Sequence, residues 1–179
     1  MPIHLIDEYK KLFLREQWLS DATFSEAWQT WEAKTNSGPN HMVDFVHQLL
    51  ENMANTLSNQ LDGSDGSYTR LRAAYFHLWK LNKEQEKDGA HYFKRMHYFD
   101  LKKADLSSFK TLAGIIATNC CRACEENDGV MIPLPEALLK QPIPQPACTR
   151  PGGCICTYGL HGERDLEGKL IWKTPGNDE

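Results

Sequence analysis

The chain has 179 residues, 41% of them hydrophobic and 10% aromatic, a globular composition that favours one domain or one domain plus a small appended module. Its formal net charge of -4 argues against a bulk basic field for nucleic acid. No stretch approaches the roughly 20 apolar residues of a membrane span.

The chain opens on Ile3, Ile6, Tyr9, Leu12 and Phe13, spaced by threes and fours as on an amphipathic helix. Asp7, Glu8, Lys10 and Lys11 interrupt any continuous apolar core in this segment. It therefore does not read as a signal peptide, and a cytoplasmic protein with reduced thiols is expected. Ser20 or Asp21 is positioned to cap a second helix carrying Phe24, Trp28 and Trp31. Residues 36–40, Asn-Ser-Gly-Pro-Asn, break the chain.

A third helix is expected to bury Met42, Phe45, Val46, Leu49, Leu50, Met53 and Leu57. The segment 62–66, Asp-Gly-Ser-Asp-Gly, reads as a turn. A fourth helix runs from about Ser67 to Gln85, with Leu71, Ala74, Tyr75, Leu78 and Leu81 inward. Gly89 separates it from a fifth, with Tyr92, Phe93, Met96, Phe99 and Leu101. The run Lys94, Arg95, His97, Lys102, Lys103 and Lys110 reads as a solvated face rather than a phosphate track. His91, His97 and Tyr98 read as core-edge or surface aromatics.

The pattern changes after Asp105. Phe109 to Thr118 is rich in apolar and β-branched residues, as a strand is. Asn127-Asp128-Gly129 marks a turn, and Val130 to Ile132 a return strand. Pro135 to Lys140 suits one or two helical turns, and Pro142, Pro144 and Pro146 an extended connection. Cys154 to Tyr158 and Lys169 to Trp172 are further short strands. The expected architecture is mainly α: about five N-terminal helices in residues 1–105, then a small α+β cysteine module in residues 106–179.

All six cysteines fall between positions 120 and 156. Cys121-x2-Cys124 is followed, after 23 intervening residues, by Cys148-x5-Cys154-x-Cys156. A C-x2-C pair sets two thiolates on one turn, and a second cluster from a distant turn can complete a tetrahedron around zinc. Zinc binding would also offset the loop entropy of a tail with few core residues. Cys121, Cys124, Cys148 and Cys154 are the preferred ligands, with Cys156 an alternative to Cys154. In extended chain, residues 154 and 156 share a face, so both can approach the ion. Cys120, adjacent to Cys121, is left out. A thioredoxin-like pair at Cys121 and Cys124 would leave the second cluster without a role. A zinc deaminase would need H-x-E upstream of P-C-x-x-C, and no H-x-E precedes Cys121. His161-Gly162-Glu163 has that spacing but follows the cysteines, as a polar surface turn would.

Residues 121–137, from Cys121-Arg-Ala-Cys124 through Asp128-Gly129 to Pro-Glu136-Ala137, resemble the C-terminal module of phage head-morphogenesis proteins, the Mu F-like minor capsid family. In that family a C-x2-C pair precedes a hydrophobic-Asp-Gly turn, a strand and an acidic-alanine step. A proline-rich approach then leads to C-x-C-T, here Cys154-Ile-Cys156-Thr157. Many members carry a histidine shortly before this motif, where this chain has Cys148. The resemblance covers about residues 110–158 and implies a structural or interaction role in phage particles, or descent from such a protein. It supplies no catalytic residues.

The leading expectation is a non-enzymatic, zinc-stabilised binding protein with a protein partner, for which Trp18, Trp28, Trp31 and Trp79 are candidate anchors. The alternative is a hydrolase or nuclease with a site between helices and cysteine module, drawing on His91, His97, Asp100 and His161.

Overall fold

A computed structural model describes residues 3–35, 38 and 40–174. Among them are seven helices and a three-stranded sheet, so the fold is mainly α with a small α+β region near the C-terminus. Chain contacts group into two compact units, Met1–Gln60 and Leu61–Glu179. The boundary expected at residue 105 lies inside the second unit.

The first unit holds α1 (Ile3–Arg15), α2 (Asp21–Lys34) and α3 (His41–Asn59). The apolar stripe of α1 buries Tyr9, Leu12 and Phe13. Phe13 meets Trp18 edge-on, with ring centroids 5.5 Å apart, and Phe24 of α2 at 5.7 Å. Phe24 in turn meets Phe45 of α3 edge-on at 5.7 Å. Ser20 is the cap of α2: its hydroxyl accepts the Thr23 amide at 3.1 Å. Of the expected break at 36–40, residues 36, 37 and 39 lie outside the described residues, as does the side chain of Ile3.

The second unit begins with α4 (Asp65–Glu84) and α5 (Ala90–Asp105). Helix α4 starts two residues earlier than the apolar pattern suggests, because Ser64 caps it by accepting the Ser67 amide at 3.2 Å. The two helices run antiparallel: Lys103 pairs with Asp65, Asp100 with Arg72, Phe99 with Tyr75 and Phe93 with Trp79. As one number rises along its helix, its partner's falls.

Strands β1 (Thr111–Ile116), β2 (Met131–Pro133) and β3 (Thr157–Gly162) form an antiparallel sheet in the order β2-β1-β3. Alternation sends Ala113 and Ile115 inward and exposes Ile116. Helix α7 (Leu134–Lys140) supplies Leu134 and Ala137, which pack with Leu101 of α5 and Ala113 of β1 in one buried cluster. That cluster ties the helical pair to the sheet. Two expectations shift here. The strand expected at 154–158 begins instead at Thr157, and Lys169 to Trp172 forms isolated bridges, Arg164 to Leu170 and Phe109 to Trp172.

A candidate metal centre of five cysteines

Three chain segments converge beside β1. Between β1 and β2 the chain makes one helical turn, α6 (Arg122–Glu125). Cys121 is its N-cap residue, and Cys121 O accepts the amides of Cys124 and Glu125 at 2.9 and 3.0 Å. That turn brings Cys121 Sγ and Cys124 Sγ to 3.8 Å. The Asp-Gly turn after it is locked to β1. Asp128 Oδ1 accepts the Ala117 amide at 2.8 Å, and Gly129, at φ +73°, donates its amide to Ile115 O at 2.9 Å.

The second segment carries Cys148, whose Sγ lies 3.8 Å from Cys121 Sγ. The third carries Cys154 and Cys156 after the turn of Arg150 to Gly153, where Gly152 and Gly153 adopt φ of +78° and +83°. Such values favour glycine over residues with a Cβ. Cys154 Sγ lies 4.0 Å from Cys124 Sγ. Ile115 and Ile143 pack against the cysteines. All six cysteines are free thiols, and separations near 3.8 Å are far beyond the 2.05 Å or so of a disulfide bond.

The five expected ligands are thus brought together. The arrangement is two triads, Cys121–Cys124–Cys148 and Cys124–Cys154–Cys156, with the sulfurs inside each within 4.8 Å of one another. Cys124 belongs to both. Four thiolates placed tetrahedrally around zinc at about 2.3 Å lie about 3.8 Å apart. The edges measured along the path Cys148–Cys121–Cys124–Cys154 are 3.8, 3.8 and 4.0 Å. Three of the six edges of such a tetrahedron are thus near its spacing, while Cys154 shares no triad with Cys121 or Cys148; the donors suit a thiophilic ion in type, and each triad is compact enough to touch one. Cys120 belongs to neither triad; its thiol donates to Ala117 O at 3.3 Å.

The local electrostatics separate these thiols. The Thr149 amide donates to Cys121 Sγ at 3.3 Å, and with the Cys124 amide it brings the Cys121 thiol down to about 6. Burial pushes Cys154 up, but the amides of Cys156 and Gln145 outweigh it and leave the thiol below its ordinary value. Burial pushes Cys156 up to about 11 and raises Cys124 and Cys148 as well. Cys124 and Cys156 are the most buried of these thiols, at 0% and 1% exposure.

Comparison of the chain with protein-family models, curated proteins and solved structures returns no match.

The four residues weighed for an enzyme are distributed differently. His97 is 2% exposed and packs edge-on against Phe93 and Tyr158, at centroid distances of 4.5 and 5.5 Å. It therefore leaves the basic run expected to share one solvated face. Its Nδ1 lies 3.4 Å from Asp100 Oδ2, without hydrogen-bond alignment. His91 lies exposed in the first turn of α5, and His161 exposed on β3. A cavity of about 510 Å³ does open between the α4–α5 pair and the Gly152–Cys154 turn. Its lining includes Trp79, Lys83, Phe93, Gly153 and Cys154, but none of those four. Among the described residues, every group of three or more candidate metal ligands consists of cysteines.

Proposed function

We propose that the chain is a non-enzymatic, zinc-stabilised binding or structural protein, and that the cysteine centre holds its C-terminal module together. Cys121, Cys124 and Cys148 supply three thiolates, and Cys154 or Cys156 the fourth. The observation that carries this reading is the approach of the thiols from three separate segments to Sγ–Sγ separations of 3.8, 3.8 and 4.0 Å along the path Cys148–Cys121–Cys124–Cys154, close to the edge length of a tetrahedral zinc site. The amide donated to Cys121 adds support, because such hydrogen bonds stabilise thiolates and orient metal ligands. A thiol centre of this kind suits a reducing compartment such as the cytoplasm. Kinship with phage head-morphogenesis proteins belongs to the same proposal. Its support is the order of elements from the C-x2-C pair through the Asp-Gly turn and α7 to the C-x-C pair. A protein partner is the corresponding target. Among the described residues no helix is long and apolar enough to cross a membrane.

The test is metal analysis and limited proteolysis of reduced full-length protein purified without chelator. About one zinc per chain is expected. Cys124→Ser should lose that zinc and open residues after about 117 to protease, because a serine hydroxyl stays protonated and binds zinc poorly. Cys120→Ser should keep both the metal and the protease resistance. Metal-free wild-type protein with unchanged stability would overturn the reading. Equal zinc loss in both variants would move Cys120 into the ligand set.

A further inference from the structure

The five thiols are more than one four-coordinate ion can use. They form two triangles joined at Cys124. A zinc ion satisfied by Cys121, Cys124, Cys148 and Cys154 leaves Cys156 as a buried thiol, 1% exposed, within 4.8 Å of two of its ligands.

Coordination number changes that outcome. Soft thiolates favour copper(I) as well as zinc. Three thiolates around one ion at about 2.3 Å lie about 4.0 Å apart, and the separations measured within the triads are 3.8, 3.8 and 4.0 Å. A thiolate sulfur has lone pairs enough to bridge two ions. Cys124, at the shared vertex and 0% exposed, is the residue placed to do so.

We propose that this centre takes two thiophilic, three-coordinate monovalent ions of the copper(I) class, one in each triad, bridged by Cys124 Sγ. The inference rests on the reading of these thiols as metal ligands. Starting from the zinc-loaded centre, two copper(I) ions enter and one zinc ion leaves. The thiol of Cys156 gives its proton to solvent, so that five thiolates hold two ions; neither copper nor sulfur changes oxidation state. Residues Cys121 and Cys148 stand partly open to solvent at one end, while the Thr149 amide supports Cys121.

The experiment is anaerobic titration of the reduced full-length chain with copper(I) delivered by a competing chelator, read by native mass spectrometry. Zinc stoichiometry is measured separately on the same samples. Wild type should take up two copper ions and release its zinc. The decisive variant is Cys156→Ser, which leaves four ligands for zinc but only one complete triad. Its copper capacity should fall from two to one. Cys120→Ser should still take two. A wild-type capacity of one copper, or an undiminished capacity of two in Cys156→Ser, overturns the proposal. If wild type binds two copper ions but no zinc, the zinc reading fails and this one stands.

Discussion

At Asp100 three effects compete. Burial raises the carboxyl's affinity for its proton, while His97 and the Arg72 guanidinium oppose it and leave the group below the ordinary carboxylate value. Arg72 Nε donates to Asp100 Oδ1 at 3.0 Å, but the Arg72 side chain is 42% exposed. Solvent screening therefore holds the expected contribution to about 1 kcal/mol. Because the folded value lies below the unfolded one, of about 3.9, this stabilisation is complete above the unfolded value. It fades as pH falls through the folded value. Asp100→Asn should accordingly lower the melting temperature at neutral pH, and the gap from wild type should close in acid. Paired thermal melts from about pH 7 to about pH 3 would check the sign, since loss in acid of any metal held by the cysteines acts on both proteins alike. A gap that is constant with pH would assign the loss to packing rather than charge.

Helix α4 depends on a small hydrogen-bonded start. Ser64 Oγ accepts the Ser67 amide, Ser67 Oγ donates to Ser64 O at 2.8 Å, and Asp62 Oδ1 accepts the Ser64 amide at 2.9 Å. Ser64→Ala removes the side-chain cap and should cost about 1 kcal/mol. For a chain of this size that corresponds to a melting shift of about 2–4 °C, measurable by calorimetry; an unchanged melt would mean that water satisfies the freed amide equally well. The same turn shows what was legible in the sequence. Five helices could be read because each repeats its apolar residues at helical spacing over about two turns or more. The start of α4 was displaced because Asp65 and Gly66 look like turn residues, although Ser64 makes them a first helical turn. Helix α6 is too short to leave any periodic signal. On β1 and β3, Gly114 and Gly159 interrupt the alternation, and Cys154 and Cys156 face the cysteine centre before β3 begins at Thr157. The cysteine spacing marked the five candidate ligands. Their division into two triads depends on how a 23-residue segment, which includes β2 and α7, and a five-residue loop close, which spacing alone does not determine.

At the scale of the molecule, the two compact units bear on how metal loss should spread. Residues Met1–Gln60 contain none of the cysteines, and the second unit contains all six. Within that second unit, Leu101 of α5 shares a buried cluster with Ala113 of β1 and with Leu134 and Ala137 of α7. Chelation should first remove hydrogen-exchange protection from residues 117–156, then weaken β1 and the Leu101 end of α5. Helices α1 to α3 should keep their protection. Exchange measured with and without chelator tests this order, and simultaneous loss in both units would show a single cooperative block instead. The strand order β2-β1-β3 also bears on synthesis. β1 is made first yet lies in the centre, and its second partner begins roughly 40 residues later; at about 5–20 residues per second the ribosome needs roughly 2–8 s to supply it. During that interval the apolar run of Leu112 to Ile116 has an edge that nothing in its own chain can yet cover, which makes β1 the segment of the nascent protein most open to pairing with the wrong strand.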